Sequence, residues 1–154
     1  MPTIHTSYEM EVPFFDVDSY RIVWHGNYPK YFEVARCQLL EIIGYPYQRM
    51  ETSGYFFPVI DLKVRYVKPI TFKQKINVSA TLKYWENKLV IDYLITDIDS
   101  GAKLTKAQTT QVAVLMPDEI TQYECPTELV ENVEALLKQA ELENSDNEAL
   151  SIKK

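Results

Sequence analysis

The chain has 154 residues, a formal charge of −6, and 46% hydrophobic and 25% charged residues, which suits one globular domain with a single substantial core. The acidic balance excludes a general nucleic-acid binder, which needs a basic surface to neutralise phosphates. No apolar run reaches the roughly 18–20 residues of a spanning helix, and the first residues lack a basic segment followed by an apolar stretch. Neither a membrane span nor an export signal is therefore expected, and a reducing cytoplasm is the default location.

Tyr8 to Val17 reads as a first strand, with Pro13 at an edge or bulge. From Tyr28 the period becomes helical: Tyr28, Tyr31, Phe32, Ala35, Leu39, Ile42 and Ile43 recur at three- and four-residue spacings. Asn27 suits the N-cap of this helix, Pro29 its first turn and Gly44 the position just past its end. Tyr45–Gly54 reads as a turn with a short helix. Ile60, Leu62, Val64 and Tyr66 then alternate with polar residues, as do Ile76 to Tyr84 and Leu89 to Ile95. Glu86-Asn87 and Asp99-Ser100-Gly101 are turns between them, and a last strand runs to about Leu115. Glu128–Leu137 suits a peripheral helix. The prediction is one domain over residues 1–140 and a polar, disordered tail over 141–154. One helix with an apolar stripe and one antiparallel sheet with an apolar face predict an α+β fold in which the sheet wraps the helix.

Two cysteines, Cys37 and Cys125, match no metal-ligand or redox spacing, and Cys37 is expected as a buried thiol in the helix. The stretch from Phe14 to Tyr28 is different in kind. It sets two carboxylates, Asp16 and Asp18, just ahead of a histidine, His25, at the mouth of the long helix. A carboxylate beside unpaired helix-terminal N–H groups can attack, or deprotonate a water against, a carbonyl whose oxygen those groups stabilise. From the residues alone, a turn is the more ordinary role for Asp18, since strand-end aspartates commonly make one. Trp24 and Tyr28 fit either an acyl pocket or the core, and the cations Lys63, Arg65, Lys68, Lys73 and Lys75 either solvate or attract a phosphorylated carrier.

Phe15-Asp16-Val17-Asp18, Ile22-Val23-Trp24-His25-Gly26-Asn27-Tyr28 and Tyr31-Phe32-Glu33-Val34-Ala35-Arg36 resemble, in sequence and spacing, the hotdog-fold thioesterases of the 4-hydroxybenzoyl-CoA thioesterase-like family. They are similar also to the short acyl-CoA thioesterases found beside the Tol–Pal envelope system. The resemblance covers roughly residues 8–120. It implies a hotdog fold and a hydrolase that cleaves an acyl- or aroyl-CoA thioester with no metal or cofactor, coenzyme A being part of the substrate. It assigns Asp18 as nucleophile or general base and the amide at His25 as the oxyanion donor. Trp24, Gly26, Asn27, Tyr28 and Lys88 follow as substrate contacts, Lys88 alone remaining of the basic set that holds coenzyme A phosphates in one branch. It further implies a homodimer or homotetramer with the active site at the subunit interface. Two departures from the family pattern stand out: Arg21 replaces a glycine in the turn, and Phe14 replaces an aromatic hydroxyl.

Asp16, two residues from Asp18, would share its face on a regular strand but is better placed to hydrogen-bond in the turn. Glu33 is a further carboxylate candidate on the helix, with an ion pair to Arg36 as its plainer role. Three other readings stay open: an acyl carrier protein thioester as substrate, an enoyl-thioester hydratase, and a non-catalytic protein that binds acyl thioesters.

Overall fold

The computed structural model describes residues 2–152. The chain begins with β1 (His5–Glu11), which stops well short of Val17, where the sequence predicts the strand's end. Pro13 has no N–H for a ladder, and Phe14–Asp16 instead close a 3₁₀ turn. A second 3₁₀ turn, His25–Asn27, opens the long helix α1 (Tyr28–Ile43). Gly44 ends it at φ +80°, a left-handed backbone for which glycine carries no Cβ penalty. Then follow α2 (Tyr47–Thr52), β2 (Tyr55–Phe56), β3 (Val59–Tyr66), β4 (Lys75–Tyr84), β5 (Leu89–Asp97), β6 (Lys103–Gln111), β7 (Val114–Leu115), β8 (Ile120–Thr121) and α3 (Thr127–Ile152).

Among the described residues the main sheet has five strands in the order β1-β4-β5-β6-β3, every neighbouring pair antiparallel, and β2-β7-β8 form a small second sheet. Ile76, Val78, Ala80 and Leu82 of β4 and Leu89, Ile91, Tyr93 and Ile95 of β5 point inward and are buried, while the residues between them face out. The helix answers with Tyr28, Tyr31, Phe32, Ala35, Leu39, Leu40 and Ile43. Leu40 takes the place expected for Ile42, which is half exposed, because the buried stripe turns through Arg36 toward α2. The expected α+β arrangement of one sheet around one helix is thus present.

The alternation predicted for β3 does not become burial: Ile60, Leu62 and Tyr66 are exposed and Val64 is half-buried. β3 is the edge of the sheet, so its apolar residues extend past the cover of α1. Helix α3 is anchored by the buried Leu129 and Val133 and runs on across 141–152, where the sequence predicts a tail. Residues 141–146 are all exposed, so glutamate and leucine propensity alone favours helix there. Residues 153 and 154 of that predicted tail lie outside the described residues.

Leu39 is fully buried between helix and sheet. Leu39→Ala is expected to cost ~2–5 kcal/mol of unfolding free energy by urea titration. A loss below ~1 kcal/mol contradicts the placement of this helix at the centre of the core.

Candidate active site

Asp16 lies at the turn between β1 and the helix, and its side chain is only 2% exposed. Its carboxylate is ion-paired with Lys30 and accepts a hydrogen bond from the Tyr31 hydroxyl at 2.7 Å. Burial, reinforced by that neighbouring carboxylate, pushes the Tyr31 phenol far above its ordinary range, so it stays a donor. The Asp16 carbonyl accepts the Trp24 N–H at 3.0 Å and the Asn27 side-chain amide at 2.8 Å. One residue therefore ties the chain before the hairpin to the first turn of α1. Asn27 does stand at the N-cap position, but its side-chain N–H goes to this carbonyl and its side-chain oxygen caps no helical N–H.

From Val17 the chain reverses in a short hairpin. Val17 bridges Val23, the Asp18 N–H donates to the Ile22 carbonyl (2.9 Å), and the Arg21 N–H returns to the Asp18 carbonyl (2.9 Å). The return arm is stitched to the segment before β4: Val23 N–H to the Ile70 carbonyl at 2.7 Å, and Phe72 N–H to the Arg21 carbonyl at 3.1 Å. Asp16 and Asp18 consequently do not share a face. The 3₁₀ turn sends Asp16 inward, and the hairpin holds Asp18 half-exposed. One Asp18 oxygen accepts the Tyr20 N–H at 2.8 Å, the turn-making role open to any aspartate. The side chain also lines a surface cavity of about 540 Å³ walled by Phe14, Phe15, Phe72 and Arg21. An oriented carboxylate at a cavity this size is compatible with a small-molecule site.

The other expected contacts are distributed differently. His25 and Gly26 precede the first internal bond of their turn, Asn27 N–H to the Trp24 carbonyl (2.9 Å), so theirs are the amides a helix entry leaves without internal partners. The His25 carbonyl accepts the Tyr66 hydroxyl at 3.1 Å, and its ring leans on Trp24 with centroids 5.1 Å apart. The Trp24 ring lies across Gly26, leaving no room for a Cβ there. Tyr28 is buried edge-on to Tyr66 at 4.8 Å, and burial raises its pKa. Within a single chain, Trp24, His25, Gly26, Asn27 and Tyr28 are not walls of the Asp18 cavity. Lys88 sits in the β4–β5 turn, at the other end of the ten-residue β4 from Phe72, on the order of 30 Å away.

Glu33 is ion-paired with Arg36 and accepts from the Cys37 thiol at 3.8 Å, while Arg36 Nε donates to the Tyr47 hydroxyl at 2.7 Å. Cys37 is half-buried rather than buried, and Cys125 is buried. Lys63 and Arg65 lie on the outer face of the sheet, with Arg65 directly opposite Lys106. Lys73 alone of that set comes near the cavity, its Nζ 5.5 Å from the centroid of the Phe72 ring. Phe72 itself was not singled out in the sequence. It lies 54 residues beyond Asp18, and no periodicity links the two.

The model of a family described as the thioesterase-like superfamily matches residues 12–133. A protein of Bacillus subtilis (strain 168) named "Putative acyl-CoA thioesterase YneP" is 31% identical over 107 residues, 69% of this chain and 77% of that one. The crystal structure of DHNA-CoA thioesterase from Staphylococcus aureus, 26% identical, covers 94% of this chain and 95% of that one with a TM-score of 0.72. A 4-hydroxybenzoyl-CoA thioesterase mutant complexed with 4-hydroxybenzoyl-CoA, 17% identical, covers 84% of this chain and 99% of that one with a TM-score of 0.73. The sheet and helix described above are thus those of the hotdog thioesterase structures.

Tyr31→Phe removes the hydroxyl from the buried Asp16 carboxylate without changing ring volume. The expected loss is ~1.5–3 kcal/mol of stability in chemical denaturation. An unchanged denaturation midpoint contradicts the structural role given to Asp16.

Proposed function

This chain belongs to the thioesterase-like superfamily and is a thioester hydrolase, and from that premise we propose that it cleaves acyl-CoA thioesters with Asp18 as the attacking or water-activating group. The observation that carries the assignment is the Asp18 carboxylate: one oxygen oriented by the Tyr20 N–H, in a side chain that opens on the cavity. The oriented oxygen sets the pose of the group, and the second is left to react.

Hydrolysis of a thioester joins water to the acyl carbon, breaks the C–S bond, and releases a carboxylic acid and a thiol. Asp18 either bonds to the carbonyl carbon, giving an anhydride that water then opens, or takes a proton from the attacking water. In both cases charge grows on the carbonyl oxygen, and the His25 and Gly26 amides at the helix mouth are its donors. One such donor is typically worth ~10²–10³ in rate. Their aim is set by Asp16, which grips Trp24 and Asn27 on either side of them.

The catalytic unit in this reading is a homodimer. β3 is an edge strand whose Val59, Ile60, Leu62 and Tyr66 remain 40–55% exposed among the described residues. Uncovered edges of this kind invite pairing with another strand. Antiparallel pairing of β3 with its two-fold copy sets the Val59 end of one chain beside the Tyr66 end of the other. Tyr66 touches His25, so residues before β3 in the partner would complete the pocket that a single chain leaves open.

Asp18→Asn keeps a carbonyl to accept the Tyr20 N–H and removes only the anion. It is expected to fold as the parent does and to lose at least 100-fold in kcat on acyl-CoA substrates, followed by thiol release. Turnover within threefold of the parent sinks the assignment. Light scattering is expected to give a dimer, and Leu62→Glu to give a monomer with little activity; an active Leu62→Glu monomer contradicts the shared site.

A further inference from the structure

Among the described residues three non-glycine positions have positive φ: Arg21 (62°), Lys73 (69°) and Glu119 (56°). Left-handed backbone is disfavoured for side chains of this kind. Two of the three are cations on touching segments, because the Arg21 carbonyl accepts the Phe72 N–H next to Lys73. Both flank the cavity of Asp18: Arg21 is part of its wall, and Lys73 stands over the Phe72 ring. Neither forms an ion pair within the described residues. The fold alone is better served by glycine at position 21, which closes the hairpin in a conformation that glycine adopts freely. Strained residues that persist tend to be ones a site uses.

We infer that Arg21, with Lys73 beside it, makes this a hydrolase for acyl thioesters whose acyl group ends in a carboxylate, the cations binding that carboxylate while Asp18 acts on the thioester carbonyl. The inference rests on the Asp18 reading above. The cavity supplies the rest of the fit: Phe14, Phe15 and Phe72 offer apolar walls for a short methylene chain, and Arg21 is the one cation among the described lining residues. Placement separates this from recognition of coenzyme A phosphates. Arg21 is three residues from Asp18 and shares its cavity, so it reaches groups a few bonds from the thioester. The diphosphate is held away from the sulfur by the whole pantetheine arm. A guanidinium is suited to a carboxylate, which it can grip with two parallel hydrogen bonds.

The experiment compares kcat/KM on glutaryl-CoA and valeryl-CoA, which share a five-carbon acyl chain and differ in the terminal carboxylate. The parent is expected to favour glutaryl-CoA by at least tenfold. In Arg21→Gly that ratio is expected to fall to near one, while the melting temperature rises by ~2–4 °C as the left-handed strain is relieved. Arg21→Lys keeps the strain and a charge, and is expected to retain part of the preference. A parent that treats both esters alike or favours valeryl-CoA overturns the inference and leaves the Asp18 assignment standing. So does an Arg21→Gly that raises KM equally for both, which marks a contact with coenzyme A itself. Turnover of neither ester, nor of a wider panel of acyl-CoAs, defeats the Asp18 reading and this inference together.

Discussion

Asp16 is buried where the chain leaves the first strand, and four groups converge on it: the Lys30 ammonium, the Tyr31 hydroxyl, the Trp24 amide and the Asn27 side chain. A buried carboxylate without partners is strongly destabilising, so Lys30 and Tyr31 of the helix must reach it, while the Asp16 carbonyl separately holds Trp24 and Asn27. That requirement sets where α1 begins and which amides its first turn exposes. It also makes Asp18 available, since the residue that satisfies the fold and the residue left to the cavity are two positions apart. Two neighbouring aspartates thus differ through burial: Asp16 is enclosed by its partners, while Asp18 borders the cavity.

The hairpin that carries Asp18 imposes a second constraint. Its return arm is held by the Ile70 carbonyl and the Phe72 amide, so the cavity wall is contributed by a segment far along the chain. The wall keeps aromatic rings in solvent, with Phe14 75% and Phe15 80% exposed. Rings left this open beside an oriented carboxylate are consistent with a surface that a substrate, or a second subunit, covers. Arg21, at φ 62°, lines the same cavity with a backbone disfavoured for its side chain.

The edge strand β3 extends the same logic to the assembly. Its period-two pattern is that of a half-buried strand, yet one chain alone leaves Ile60, Leu62 and Tyr66 in water. A pattern that is correct for burial and unburied in one chain is the observation behind the proposed pairing across a two-fold axis. The His25–Tyr66 hydrogen bond places that edge against the helix mouth.

The sequence by itself determined the long helix from Tyr28 to Ile43, its glycine stop, the strands β4, β5 and β6, and the antiparallel order of their hairpins. These depend on period, caps and turn residues, which are local. It also singled out Asp18 and His25, through a motif whose spacing resembles a known family. What it could not assign was the division of labour. Asp16 reads as a hydrogen-bonding residue of the turn, but only the 3₁₀ turn after Pro13 buries it against Lys30 and Tyr31. Asn27 reads as a cap, yet its side chain bonds the Asp16 carbonyl and caps no helical N–H, and Tyr28, open to pocket or core in the sequence, is enclosed by Tyr66 and the core. Phe72 has no signal in a linear reading, and Lys73 is there only one of five cations, with nothing to single it out. Tertiary structure decided each of these, because burial and hydrogen-bond partnership are properties of residues brought together from distant parts of the chain.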